Sequence, residues 1–221
     1  MKKMLTPITL SLVAITVMGL EQEKPIDDGL LKMVIRDELC SGHHPPIEFD
    51  EKGKLIPYEI PTAESIARGL NISSNRMARV LEEMVHETLS IVKKMPVPTE
   101  IDRDNFNKIF TSYNTAALNV FPLIEALQSF HGTNTVALLK ESVTVNHNII
   151  SRKAVEAYIV IEGAETLPFF REVIKDERLD PTQRNRIIQH LQGAISKLEE
   201  KKQTADVEKI ATFLKEMKQT K

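Results

Sequence analysis

The stretch richest in reactive side chains is Leu39-Cys40-Ser41-Gly42-His43-His44-Pro45-Pro46. A thiol and two imidazoles so close together are the donor types that zinc takes. A closed structural site needs four protein ligands, however, and no second cluster follows: His86, His131, His147 and His190 are scattered singly. Cys40 is the only cysteine, so an internal disulfide is excluded, while an intermolecular one stays open. The run reads better as a helix end and a glycine turn with incidental histidines. No metal and no cofactor is expected.

The other signatures of chemistry are missing. The eight glycines never form a phosphate-cradling run, and there is no nucleophile elbow and no His-Glu-x-x-His. Carboxylates are plentiful but lie among Lys and Arg on helix-patterned faces, as at Glu156 and Glu199-Glu200. Solvated helix faces explain them better than a general acid/base pair does. No catalytic residue is assigned. A formal net charge of −2 gives no electrostatic bias toward nucleic acid or anionic membranes.

One segment does carry a recognisable constellation. Thr62 to Leu81 reads TAESIARGLNISSNRMARVL. Ile66 and Ala67 supply the apolar and small positions of a first helix. Leu70-Asn71-Ile72 forms the turn, with Asn tolerating the left-handed conformation. Ser73 caps a second helix that Met77 and Val80 pack onto the first. These residues resemble a DNA-binding helix-turn-helix, which implies that Ser74, Asn75, Arg76 and Arg79 face the major groove. Two features of the residues oppose a DNA role. Five basic residues between Thr62 and Glu100 are matched by five acidic ones, whereas DNA affinity grows from phosphate neutralisation. The second helix also continues through Leu81, Met84, Val85, Leu89 and Val92, a stripe suited to a bundle core.

The elements that organise the chain lie in its second half. Leu123–Val143 and Ala154–Ile174 register without a gap: Glu125 falls on Glu156, Ala126 on Ala157, Gly132 on Gly163, Thr135 on Thr166 and Glu141 on Glu172. Each copy is a helix, a glycine expected in the left-handed conformation, and a second helix. A third hairpin follows. Asp180 is its N-cap, Pro181 stands at the first helical position and Gln183 closes a capping box. Its helices cover 181–200, carrying Ile187, Ile188, Leu191, Ile195 and Leu198, and 205–218, carrying Val207, Ile210, Ala211, Leu214 and Met217. One hairpin cannot bury its apolar face alone, so neighbours must stack.

The pattern AVEAYIVIEGAETLPFFREVIKD resembles the HEAT-repeat family, including its short bacterial variants, over roughly residues 112–220. The resemblance implies an architecture and a binding surface rather than a reaction. Second helices of such repeats commonly line the inner face, which would make Lys140, Arg171 and Lys175 a weakly basic binding surface.

Residues 1–19 read as a signal peptide: a basic start at Lys2-Lys3, an uncharged run from Met4 to Met18, and cleavage near Gly19. Residues 20–95 form a helical N-terminal region. It contains an amphipathic helix over 27–40, with Leu30, Leu31, Val34, Ile35 and Leu39 on its buried side. It also contains a β-hairpin over 47–58 and the helix-turn-helix-like segment 62–92. A proline-broken linker spans 96–104. The HEAT-like repeats occupy 105–221, beginning with a helix that carries Phe106, Ile109, Phe110, Tyr113 and Ala117 and is kinked or restarted at Asn119-Val120-Phe121-Pro122.

The expected fold is therefore mostly all-α: helical hairpin repeats forming a short α-solenoid behind a small N-terminal region. The expected function is an exported, periplasmic or secreted, non-catalytic module that binds or scaffolds another protein. No nucleic acid is expected as a partner, and the membrane is touched only through the signal peptide during export. Two other readings stand beside it. One is a cytoplasmic DNA-binding regulator working through Arg76 and Arg79. The other is an enzyme or small-molecule binder with its pocket between the two halves.

Overall fold

The computed structural model describes residues 26–40, 61–95 and 103–219. All regular structure among them is helical. The proposed signal peptide, the 47–58 hairpin and most of the 96–104 linker lie outside the described residues.

Helix α1, Asp28–Ile35, starts at Asp27, whose carboxylate accepts the Leu30 amide. It runs into a π-helical turn, Arg36–Cys40. Leu31 and Ile35 are fully buried, with Val34 and Leu39 partly so. Leu30, expected on the same face, is instead 49% exposed and Met33 is 66% exposed. The buried stripe is only the narrow i, i+4 seam that meets the next helices, so Leu30 is left at its edge.

Helices α2, Ala63–Gly69, and α3, Ser74–Lys94, form the expected helix-turn-helix. Thr62 and Ser65 make a reciprocal capping box. Asn71 has φ of 52°, and Ile72 N–H reaches back to the Ala67 carbonyl at 2.8 Å, the closure expected where a left-handed residue ends a helix. Ser73 Oγ caps α3 at Arg76 N–H. Met77, Val80, Leu81, Met84, Val85, Leu89 and Val92 are buried.

Helix α4, Arg103–Leu127, is continuous, with Pro122 inside it. Of the two alternatives expected at Asn119–Pro122, a kink or a restart, the restart does not occur. Val120, Leu123, Ile124 and Leu127 around the proline are all buried, so packing holds the helix through the missing N–H. Ala117 is buried as expected; the side chains of Phe106, Ile109, Phe110 and Tyr113 lie outside those described.

The remaining helices are α5, Thr133–Val143; α6, Asn148–Glu162; α7, Leu167–Lys175, entered through a 3₁₀ turn Gly163–Thr166; α8, Pro181–Glu200; and α9, Thr204–Gln219. Gly163 takes the positive φ assigned to it, at 55°. Gly132 does not: its φ is −143°. The end of α4 tightens into i→i+3 turns at Gln128, Ser129 and Phe130, which places Gly132 at the entrance of α5 as its N-cap. Asp180 caps α8 through Thr182 N–H at 2.7 Å, and Pro181 opens it. Gln183 does not close a capping box; its amide donates to the Thr144 carbonyl at 2.5 Å. That carbonyl ends α5, so the glutamine joins two hairpins rather than capping its own helix. Between α8 and α9, where no glycine is available, Lys202 takes the left-handed position at φ 59°.

Helix α4 packs on α3 and α6, α6 on α5 and α8, α8 on α7 and α9, and α1 on α3. The core is continuous from Leu31 to Met217.

Candidate functional site

Arg76 and Arg79 sit one turn apart on α3, and their guanidinium groups converge on α1. Arg76 Nη2 and Arg79 Nη2 each lie 2.7 Å from the Asp28 carboxylate, and Arg76 also donates to the Ile26 carbonyl. Both guanidiniums hold the Asp28 carboxyl below its usual range. Lys32, one turn further along α1, pairs with Glu87 at 2.8 Å and Glu83 at 3.2 Å. The two arginines that a DNA reader would present are thus tied to α1 by an ionic ladder beside the buried Leu31 and Ile35, while Ser74 and Asn75 stay exposed.

Lys140, Arg171 and Lys175 fall around α7 and do not form one patch. Lys140 reaches from α5 to lie 5.7 Å from the ring centroids of both Tyr158 and Phe169. Those rings, with Phe170, make an edge-to-face cluster at 5.3–5.9 Å that seats α7 on α6. Arg171 points the other way. Its guanidinium lies 5.1 Å from the Phe213 ring on α9 and pairs with Glu216 at 2.9 Å. Lys175 follows Arg171 by four residues, hence on the same flank, and is exposed. Between α7 and α9 runs a cleft of about 380 Å³ lined by Leu167, Arg171, Glu208, Lys209, Thr212, Phe213 and Glu216. The sequence missed the role of Phe213 and Glu216: the apolar period of α9 places Phe213, but nothing local pairs it with Arg171.

Cys40 is half-buried and donates its thiol to the Asn119 carbonyl at 3.6 Å. Burial pushes the thiol up to about 11. A thiol held that high is a weak nucleophile and a weak ligand at neutral pH. His43 and His44 lie outside the described residues. Among the described residues no three His, Cys, Asp or Glu side chains gather as a metal site.

The contact between the two halves holds a cavity of about 340 Å³, lined by Glu38, Leu39, Pro61, Thr62, Glu64, Phe121, Pro122, Glu125 and Ser129 among others. A hydrogen bond from the Ser129 side chain, the largest influence on it, lowers the Glu64 carboxyl below its usual range. A carboxylate held ionised in this way is poorly poised to carry a proton near neutrality. Two buried histidines complete the inventory. His147 Nδ1 caps α6 at Ile150 N–H, and His190 is 7% exposed with Nε2 lacking a hydrogen-bond partner. Burial, then the Arg152 and Arg186 charges, push His190 down to about 4.

No known protein family, curated protein or solved structure compared with the chain matches it. The geometry must therefore speak for itself. It offers cationic side chains laid on aromatic rings and a shallow cleft beside them. Among the described residues, no helix is long and apolar enough to cross a membrane.

Proposed function

We propose that this chain is an exported, non-catalytic protein-binding or scaffolding module, built as a short α-solenoid of HEAT-like hairpins. The observation that supports it is the row of helices α4, α6 and α8, in which α4 packs on α6 and α6 on α8, with α5 packed on α6 and α9 on α8. Stacked hairpins of this kind generate extended surfaces on the helices they leave outward. The partner's surface is the α7 flank with Arg171 and Lys175 and the α7–α9 cleft beside it, with Lys140, on the opposite flank, left outside it. Rigid aromatic bodies under cationic tips bind acidic or aromatic protein segments at low entropic cost. Export rests on residues 1–19.

The pairing of Arg76 and Arg79 with Asp28 weighs against the DNA regulator. Contact with a major groove would require Arg76 and Arg79 to exchange Asp28 for phosphate or base edges, and α1 with its buried Leu31 and Ile35 to leave.

The test is capture of partners by tagged full-length protein from the extracytoplasmic fraction of the native host, with cross-link mapping. Cross-links concentrated on 133–143, 167–175 and 204–219, and lost in Arg171→Glu with Lys175→Glu, support the reading. Cross-links elsewhere only, or none, overturn it. A duplex-DNA anisotropy titration at low salt should stay flat.

A further inference from the structure

The turn from α5 to α6 meets the first half of α8 in a seam that holds two buried histidines. His147 and His190 are 5% and 7% exposed. Gln183 donates to the Thr144 carbonyl, and Arg186 Nη1 donates to Asn146 Oδ1 at 3.5 Å, so α8 is fixed along this turn. His190 follows Arg186 by one turn of α8, and the Arg152 charge bears on it from α6.

Both imidazoles are placed to be neutral. His147 Nδ1 accepts the Ile150 amide, so its lone pair caps the start of α6. A protonated ring has no lone pair to offer there and would set a positive charge on the positive end of the helix dipole. The charges that bear on His190 are both cationic, Arg152 and Arg186, and among the described residues none from α7 or α9 does. Glu156, one turn after Arg152, is taken up by Arg152 and Lys153. A proton added to this seam is buried without a counter-charge.

We propose that this seam is an acid-opened joint, at which protonation of His147 and His190 releases the α8–α9 pair from α6. The packing makes the release local. α8 rests on α6 and α7, and α9 on α8 and on the 3₁₀ turn at Gly163, while α3 packs on α4 and α5 instead. Breaking the seam frees the pair without opening the α3–α4 core, which is the condition for sub-global opening.

The release acts on the surface assigned above to a foreign partner. Lys209, Phe213 and Glu216 leave with α9 while Arg171 stays on α7, so acid dismantles the α7–α9 cleft. That consequence rests on the proposed binding role; the joint itself does not, and it is tested without a partner.

Hydrogen exchange of the full chain at about pH 7 and about pH 5, read by mass spectrometry and corrected for the intrinsic pH dependence of exchange, is the test. The fold favours the neutral His190 ring, so the seam is whole above 6.5 and loosens as pH falls toward 4. With His190 at about 4 in the closed seam and 6.5 once open, opening of α8 and α9 should become about 20-fold more frequent at the lower pH. Opening of α3 and α4 should change much less. His190→Gln should lose that increase, and His147→Asn, whose side chain caps α6 at either pH, should reduce it as well. Equal quickening across α3, α4, α8 and α9 overturns the proposal, as does an increase that survives in His190→Gln. The comparison between helices of the wild type decides the matter even where a variant fails to fold.

Discussion

The Asp206 carboxylate stands where a side chain on residue 163 would begin. A Cβ on Gly163 would lie 2.7 Å from Asp206 Oδ2, while Asp206 Oδ1 accepts the Ala164 amide at 3.0 Å. The turn between α6 and α7 is thereby pinned to the first turn of α9. The pin requires both a bare α-carbon and a positive φ, two demands that only glycine meets together.

Gly163→Ala should therefore destabilise the chain by roughly 1–3 kcal/mol in urea titration. Asp206→Ala in the same background should recover part of that loss by removing the crowding. The φ of 55° would still be strained, so recovery stays incomplete. A Gly163→Ala variant as stable as wild type would show that the turn relaxes freely.

Lys202 offers the reverse case. It sits at φ 59° at the end of α8, with Gln203 N–H closing back to the Leu198 carbonyl at 2.9 Å. A side chain in that conformation costs about 1 kcal/mol. Lys202→Gly should raise the unfolding free energy by up to about 1 kcal/mol, seen as a higher denaturation midpoint. A lower midpoint would mean that the entropy glycine adds to the unfolded chain outweighs the relieved strain.

His190 makes stability depend on pH. Its folded pKa is about 4 against 6.5 unperturbed, so the fold favours the neutral ring. The stabilisation is complete above 6.5 and is lost as pH falls from 6.5 toward 4, amounting to about 3 kcal/mol at most. His147, also lowered by burial, acts in the same direction, because protonation removes the Nδ1 lone pair that caps α6. Between pH 7 and 4 the unfolding free energy should fall more steeply in wild type than in His190→Gln. Parallel curves would remove His190 from the account.

On α1, apolar burial and the ionic ladder can be separated. Leu31→Ala removes a fully buried side chain and should cost about 2–5 kcal/mol. Asp28→Asn breaks ion pairs whose members are partly solvated and should cost much less, by an amount that shrinks at high salt. Asp28 is lowered in the fold, so its contribution is present above the unfolded value of 3.8 and lost below it. Hydrogen exchange of the α1 amides reports both; a larger effect from Asp28→Asn would make the ladder the main tether.

The helical elements were legible because their signals are local. The caps at Ser73 and Asp180, the left-handed Asn71 and the apolar stripe of α3 depend on neighbours in sequence. What escaped depends on distant partners. Gln183 reads as a cap of its own helix because Thr144 cannot be seen from residue 183. Pro122 reads as a kink or a break because the packing that holds α4 together comes from other helices. Gly132 falls on Gly163 in the repeat register, yet α4 ends earlier than α6 does and leaves its glycine to a different task. The candidate surface suffered likewise: Lys140, Arg171 and Lys175 share a repeat position or a helix, but the rings and carboxylates they meet lie on α6, α7 and α9.

The interfaces mostly join segments near one another along the chain, α3 to α4, α5 to α6, α8 to α9. The cost of bringing two segments together rises with the length between them, so such a chain meets small barriers and folds quickly, in milliseconds or less by the general trend of helical domains. It can also fold as it is made. Each new helix emerges beside one already formed, and α9 docks onto α8 as it follows it from the chain.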